Sequence, residues 1–123
     1  MLIAQFYTIL SKEATDQMAL TVNVELNPHH GVYQGHFPAN PVLPGVCTLQ
    51  IIKECLEELM GSTLQYAQVN SCKYLSVVNP FITPKLQLNL TAQVLEDNQI
   101  QLLTDGKTGE TDFIKLKATL IRK

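Results

Sequence analysis

Gly35-His36-Phe37-Pro38-Ala39-Asn40-Pro41-Val42-Leu43-Pro44-Gly45 runs without a break into Val46 to Met60, and the junction between the two decides how the rest of the chain is read. The first stretch is a loop stiffened by Pro38, Pro41 and Pro44. The second is the one segment with helical period: Val46, Leu49, Ile52, Leu56, Leu59 and Met60 fall on one face, and Lys53, Glu54, Glu57 and Glu58 mostly on the other. Pro44 suits the first helical turn and Gly61 a C-terminal cap. The spacing therefore predicts one helix of about four turns from Val46 to Met60.

Outward from this helix the period changes to two. Leu20, Val22, Val24 and Leu26 alternate with Thr21, Asn23 and Glu25, and Leu86, Leu88, Leu90, Ala92 and Val94 alternate with Gln87, Asn89, Thr91 and Gln93. Both have the pattern of half-buried strands. Glu96-Asp97-Asn98 reads as a turn, Ile100 to Thr104 as a returning strand, and Asp105-Gly106 with Gly109 as the next turn. Ile114, Leu116, Ala118 and Leu120 form a last strand; Tyr66 to Val78 and Phe6 to Ser11 are looser candidates. One helix serving five or six strands predicts an α+β layer in which the helix covers one sheet face. Residues 1–123 show no linker, repeat or low-complexity segment, so the expectation is a single domain. One exposed sheet edge would remain, and a symmetric dimer joining two edges is the simple remedy.

Composition narrows the function classes. The net charge of −2 speaks against nucleic acid as a partner. The charge is uneven: residues 1–70 carry two Lys against six acids, and residues 71–123 seven Lys/Arg against five. Lys73, Lys85, Lys115 and Lys117 are the candidates for a basic patch that meets an acidic partner. Cys47, Cys55 and Cys72 form no CxxC pair, which fits reduced thiols and a cytoplasmic protein. Cys47 stands one turn into the helix, where the dipole lowers a thiol pKa, but a small buried hydrophobe is the simpler role. The first ten residues lack the basic lead-in and cleavage site of a signal peptide, and no apolar run reaches the length of a membrane span. His29, His30 and His36 have no carboxylate or thiolate at ligand spacing, so no metal site is expected.

The loop and helix together can serve to remove a proton next to a carbonyl, as one reaction illustrates. Loss of water from a 3-hydroxyacyl thioester begins with removal of a weakly acidic proton from the α carbon. The enolate oxygen that develops needs donors, and free N–H groups at Gly45 and Val46 with the helix dipole behind them can supply these. A histidine titrates in the right range to take the proton. The departing hydroxyl needs a proton as well.

The string His36-Phe37-Pro38-Ala39-Asn40-Pro41-Val42-Leu43-Pro44-Gly45-Val46 closely resembles the active-site motif of the β-hydroxyacyl-acyl carrier protein dehydratases, a hotdog-fold family. Every fixed position of that pattern is matched, Asn27-Pro28, His30 and Gly35 resemble the preceding loop, and the order of elements extends the likeness over nearly the whole chain. The resemblance implies a hotdog fold, with an antiparallel sheet wrapped around one central helix, and a fatty-acid or related lipid dehydratase. It implies His36 as the catalytic histidine, Gly45 as the glycine whose N–H meets the thioester carbonyl, and Phe37, Pro44 and Val46 beside it as substrate-binding residues. It implies no metal or redox cofactor, and a substrate carried on the phosphopantetheine of an acyl carrier protein or on coenzyme A. It also implies at least a homodimer, in which His36 of one subunit approaches position 50 of the other.

Two departures stand out. The family's acidic partner, five residues beyond the glycine, is here Gln50, and where relatives often have Pro-Gly-Asp this chain has Pro84-Lys85. An amide orients groups but transfers no proton, and losing a general acid costs about 10²- to 10⁴-fold. Glu54, one turn beyond Gln50, and Glu57 project along the same flank and are the candidate substitutes. Two rival readings therefore stay open at this point: hotdog-type thioester hydrolysis with Gln50 orienting a water, and a non-catalytic acyl-binding or partner subunit.

Overall fold

The computed structural model describes residues 5–15, 18–33 and 41–123. Among the described residues, six antiparallel strands form one sheet around one α-helix. They are β1 (Tyr7–Ala14), β2 (Ala19–Leu26), β3 (Leu64–Tyr74), β4 (Lys85–Val94), β5 (Gln99–Thr108) and β6 (Thr111–Arg122), and the helix α1 is Gly45–Met60. The spatial order β1-β2-β4-β5-β6-β3 leaves β1 and β3 at the edges. This is the hotdog arrangement.

Alternation explains the inner strands. Leu20, Val22, Val24 and Leu26 on β2 are buried while the residues between them are half-exposed. Leu86, Leu88 and Leu90 on β4 and Leu116, Ala118 and Leu120 on β6 do the same. Ile52 and Leu56 of α1, both with no exposed surface, belong to the same core. Both edge strands reach the helix: the Tyr7 hydroxyl of β1 donates to the Glu54 carboxylate, and the Tyr66 hydroxyl of β3 donates to the Leu49 carbonyl, each at 2.7 Å. A sheet whose two edges touch one helix curls around it. The helix closes on Gly61, whose left-handed φ of 67° lets its N–H return to the Glu57 carbonyl at 2.8 Å. No helix among the described residues is long and apolar enough to cross a membrane.

Two details differ from the reading of the sequence. The buried face of α1 is Cys47, Thr48, Ile51, Ile52, Cys55 and Leu56, with Leu49, Leu59 and Met60 only partly covered and Val46 76% exposed. The seat is thus centred on small Cys and Thr side chains, which let the sheet approach closely, and Val46 is turned to the opposite side. Asp105-Gly106 is no turn but part of β5, and the reversal to β6 is the two-residue step Gly109-Glu110 between paired Thr108 and Thr111. Gly106 is needed for space: a Cβ there would stand 2.8 Å from Ile114 Cγ2 and from the Phe113 ring. Asp97 and Asn98 do form the β4–β5 turn, both at φ 62°, the conformation of a two-residue hairpin loop.

Because both obstructing side chains at Gly106 are buried, Gly106→Ala is expected to destabilise the protein by about 1–3 kcal/mol through overpacking. A denaturant midpoint equal to wild type would contradict this account of β5.

Candidate active site at the start of the helix

The N-terminus of α1 is uncapped. Pro44 occupies the N-cap position at φ −64° and ψ 141° and offers no side-chain hydrogen bond. Its carbonyl takes the N–H groups of Cys47 (3.1 Å) and Thr48 (3.2 Å). Gly45 and Val46 are thereby left with N–H groups that find no acceptor among the described residues. Leu43 anchors the approach, its N–H bonded to the Val78 carbonyl at 2.8 Å. Tyr74, the last residue of β3, leans over this end: a Cβ on Gly45 would meet the Tyr74 hydroxyl oxygen at 2.6 Å. Burial and a hydrogen bond with Cys72 push the Tyr74 phenol up to about 12, so it stands there as a neutral hydroxyl. His36 and Phe37 lie outside the described residues.

Further along the flank, Gln50 Nε2 donates to Glu54 Oε2 at 2.9 Å, while the Tyr7 hydroxyl holds Oε1. Position 50 and the nearest helical carboxyl are thus one hydrogen-bonded unit. Glu57 is engaged elsewhere, accepting the Leu64 N–H at 2.8 Å and standing 3.9 Å from Lys53 Nζ. Glu58 pairs with Lys12 of β1. Of the two substitutes considered from sequence, the structure brings Glu54 to Gln50 and commits Glu57 to the start of β3.

The remaining candidates are placed as follows. His30 braces the loop, with Nδ1 accepting the Val32 N–H at 3.1 Å and the ring edge-on to Phe6 at 5.2 Å. His29 stands edge-on to Phe81. Cys47 is buried and its thiol is pushed up by that burial, so it packs as a small hydrophobe. Lys73, Lys115 and Lys117 share one region of the sheet's outer face: Lys73 pairs with Lys115, Lys115 with Asp105, and Lys117 lies on the next row beside Ser71. Lys85 pairs with Glu25 at the far end of β4 and is not part of this row. Tyr7 and Tyr74 were not singled out by sequence reasoning. Both sit on edge strands that lack alternation, so no pattern marks them.

A family model described as ApeI dehydratase matches residues 11–111. A 3-hydroxyacyl-acyl-carrier-protein dehydratase (FabZ) of Latilactobacillus sakei is 35% identical over 96 residues, which is 72% of this chain and 66% of that relative. The FabZ of Lactobacillus helveticus is 28% identical over 98% of this chain and 87% of its own length. Among solved structures, the dehydratase heterocomplex ApeI:P from Xenorhabdus doucetiae superposes with a TM-score of 0.75 at 19% identity, covering 94% of this chain and 97% of that one. A hypothetical thioesterase with coenzyme A from Streptococcus pneumoniae reaches 0.67 at 11% identity, over 95% and 85% of the two chains. At these identities the superpositions speak for the fold alone.

Behind the site, burial pushes the Cys55 thiol up to about 12, with the Glu54 carboxylate adding to it. The neutral thiol is favoured when folded, so its contribution to stability is complete below the unfolded thiol's pKa of about 9 and is lost as pH rises from there towards 12. Melting temperature is expected to fall between pH 9 and 11, less steeply in Cys55→Ala. An equal slope in that variant would remove Cys55 as a cause.

Proposed function

The chain belongs to the ApeI-like dehydratase family, and from that premise we propose that it is a hydro-lyase removing water from a 3-hydroxyacyl group held as a thioester on an acyl carrier protein or coenzyme A. The observation that carries this reading is the uncapped helix end, with Gly45 and Val46 N–H groups free directly after the complete loop motif. A thioester carbonyl seated there receives two backbone donors and the positive end of the helix dipole. In this reading His36 takes the α proton, negative charge develops on the carbonyl oxygen facing Gly45 and Val46, and its collapse expels the β hydroxyl. Phe37 and Pro44 flank the acyl group. Elimination of water is redox-neutral, so the reaction calls for no redox cofactor, and the two backbone donors supply the stabilisation that a metal ion would otherwise give. The three free cysteines favour a cytoplasmic setting.

Two features support an assembly and a partner. The β3 edge is eleven residues long, bears Lys73 as its sole charged side chain and leaves Val69 and Tyr74 half-exposed. β1, by contrast, carries Lys12 and Glu13 and ties Lys12 to the helix. An open, weakly charged edge is satisfied by a second copy, so the proposal is a homodimer joined at β3. The Lys73, Lys115 and Lys117 region, with Asp105 beside Lys115, suits docking of an acidic carrier protein.

The deciding experiment incubates the protein with a 3-hydroxyacyl carrier-protein thioester and follows product mass. Loss of one water is expected, and His36→Ala abolishes it; release of the free acid would favour thioester hydrolysis, and no turnover with retained binding a non-catalytic module. For docking, Lys73→Glu with Lys117→Glu should weaken carrier-protein binding at low salt, the difference shrinking as salt screens it. Equal affinity of variant and wild type at low salt would dismiss the patch.

A further inference from the structure

Gly45 faces more than an open end of the helix. Tyr74, the last residue of β3, ends against it: a Cβ on Gly45 would stand 2.6 Å from the phenolic oxygen, 2.7 Å from Cζ and 3.2 Å from Cε1. The hydroxyl is thus the part of the side chain nearest the glycine. A bare ring would pack there as well, so packing does not call for the oxygen. Two backbone contacts fix its place. Tyr74 pairs with Ile114 in the β3–β6 ladder, and the next residue, Leu75, donates its N–H to the Phe113 carbonyl at 2.9 Å. Burial keeps the phenol neutral, and it has a hydrogen bond with the Cys72 side chain, whose sulfur is a weak acceptor. The O–H is therefore available to a better acceptor. Pairing of a second copy along β3 would use the backbone of that edge and leave this side chain beside the helix.

Resting on the dehydratase reading, we infer that the Tyr74 hydroxyl is a third donor to the thioester oxygen, beside the N–H groups of Gly45 and Val46. A Cβ lies about 2.5 Å from its own backbone nitrogen, so the hydroxyl stands within about 5 Å of the Gly45 nitrogen. One oxygen between them can take both hydrogen bonds, at about 2.9 Å from the nitrogen and about 2.7 Å from the phenol. The phenol contributes most when that oxygen carries charge. His36 takes the C2 proton, the C2–H electron pair moves into the bond between C2 and the carbonyl carbon, and the carbonyl pair moves onto the oxygen. Three donors then face one oxyanion, two from the head of the helix and one from the sheet. As the carbonyl re-forms, the C2–C3 double bond forms and the C3–O bond breaks. The C2 proton and the departing hydroxyl together make up the water released, so no co-reactant is needed. Held by the β3–β6 ladder, the third donor needs no rearrangement as charge develops. Position 45 must be glycine for the same reason, since any side chain there would take the place of the hydroxyl.

The test uses the full chain, with a 3-hydroxyacyl carrier-protein thioester for turnover and the matching saturated acyl thioester, labelled with carbon-13 at its carbonyl, for binding. The saturated compound has no hydroxyl to lose and rests in the site. Tyr74→Phe keeps the ring over Gly45 and removes one oxygen. It is expected to lower kcat by about 10- to 10²-fold, less than the loss of a principal oxyanion donor because two backbone donors remain, with KM within about threefold. The infrared carbonyl band of the bound label is expected below that of the free thioester in wild type, and to move back towards the free value in Tyr74→Phe. A role in packing alone would leave the band in place. Should Tyr74→Phe fail to fold, 3-fluorotyrosine in place of Tyr74, a stronger donor of nearly the same size, is expected to move the band further down. A wild-type kcat in Tyr74→Phe, or a carbonyl band that neither replacement moves, overturns the role given to Tyr74 while leaving the dehydratase reading intact. A wild-type protein that dehydrates no 3-hydroxyacyl thioester overturns that reading and the catalytic role built on it.

Discussion

The seating of Ile52 and Leu56 against the inner face of the sheet is the contact on which the site depends. Both are fully shielded, in one core with Val22, Leu88 and Leu116. Each such side chain contributes about 1.5–3 kcal/mol by leaving water, against about 1 kcal/mol for an ordinary hydrogen bond. Packing therefore sets the rotation of α1, and with it the flank on which Gln50 and Glu54 stand. Hydrogen bonds from the edge strands then refine the aim: Tyr7 from β1 fixes Glu54, while Tyr66 from β3 and the Lys53–Leu64 contact hold the helix from the other side.

At the head of the helix the constraint runs the other way. A Ser, Thr, Asp or Asn at the N-cap would stabilise the helix by about 0.5–2 kcal/mol and would occupy one of its first N–H groups. Pro44 makes no such bond. Its ψ of 141° delivers the chain extended into the first turn, with Gly45 carrying no side chain where Tyr74 leans in. Stability is forgone at the place where free donors are useful. Such a local violation of helix-capping preference is typical of a functional site.

How much of this was legible in the sequence follows from burial. β2, β4 and β6 have one covered face, so their period of two was visible in the residues. β3, exposed along most of its length at the sheet edge, shows no alternation, and its bounds were the loosest. The helix was plain, but its buried face was centred wrongly because Cys47, Thr48 and Cys55 are too small and polar to weigh in a hydrophobic pattern. Gly106 carried a turn signal that was in truth a demand for space beneath Phe113. At the site, Pro44 is the N-cap, Gly45 and Val46 open the helix, and Gln50 follows within its second turn. What one-dimensional reasoning lacked was a way to separate Glu54 from Glu57, which share nearly the same azimuth. The difference is tertiary: β1 brings a hydroxyl to one, and β3 a backbone N–H to the other.

That separation also bears on where the flank keeps its negative charge. Residues 50 and 54 are neighbours on one helix face, and their side chains are half-buried and within one hydrogen bond of each other. Two carboxylates there would repel by about 4 kcal/mol at 4 Å in a partly shielded setting. A Gln–Glu pair avoids this, because the amide donates to the one carboxylate and carries no charge. Packing alone does not decide the order of the two, since the side chains differ little in size. The external donor does. The Tyr7 hydroxyl comes from β1 at the level of position 54, so a carboxylate there has both oxygens satisfied by Tyr7 and Gln50. At position 50 the same charge would have no such hydroxyl from β1 among the described residues. The register of β1 against the helix thus selects Glu54 as the carboxyl of this flank, with Gln50 as its amide donor.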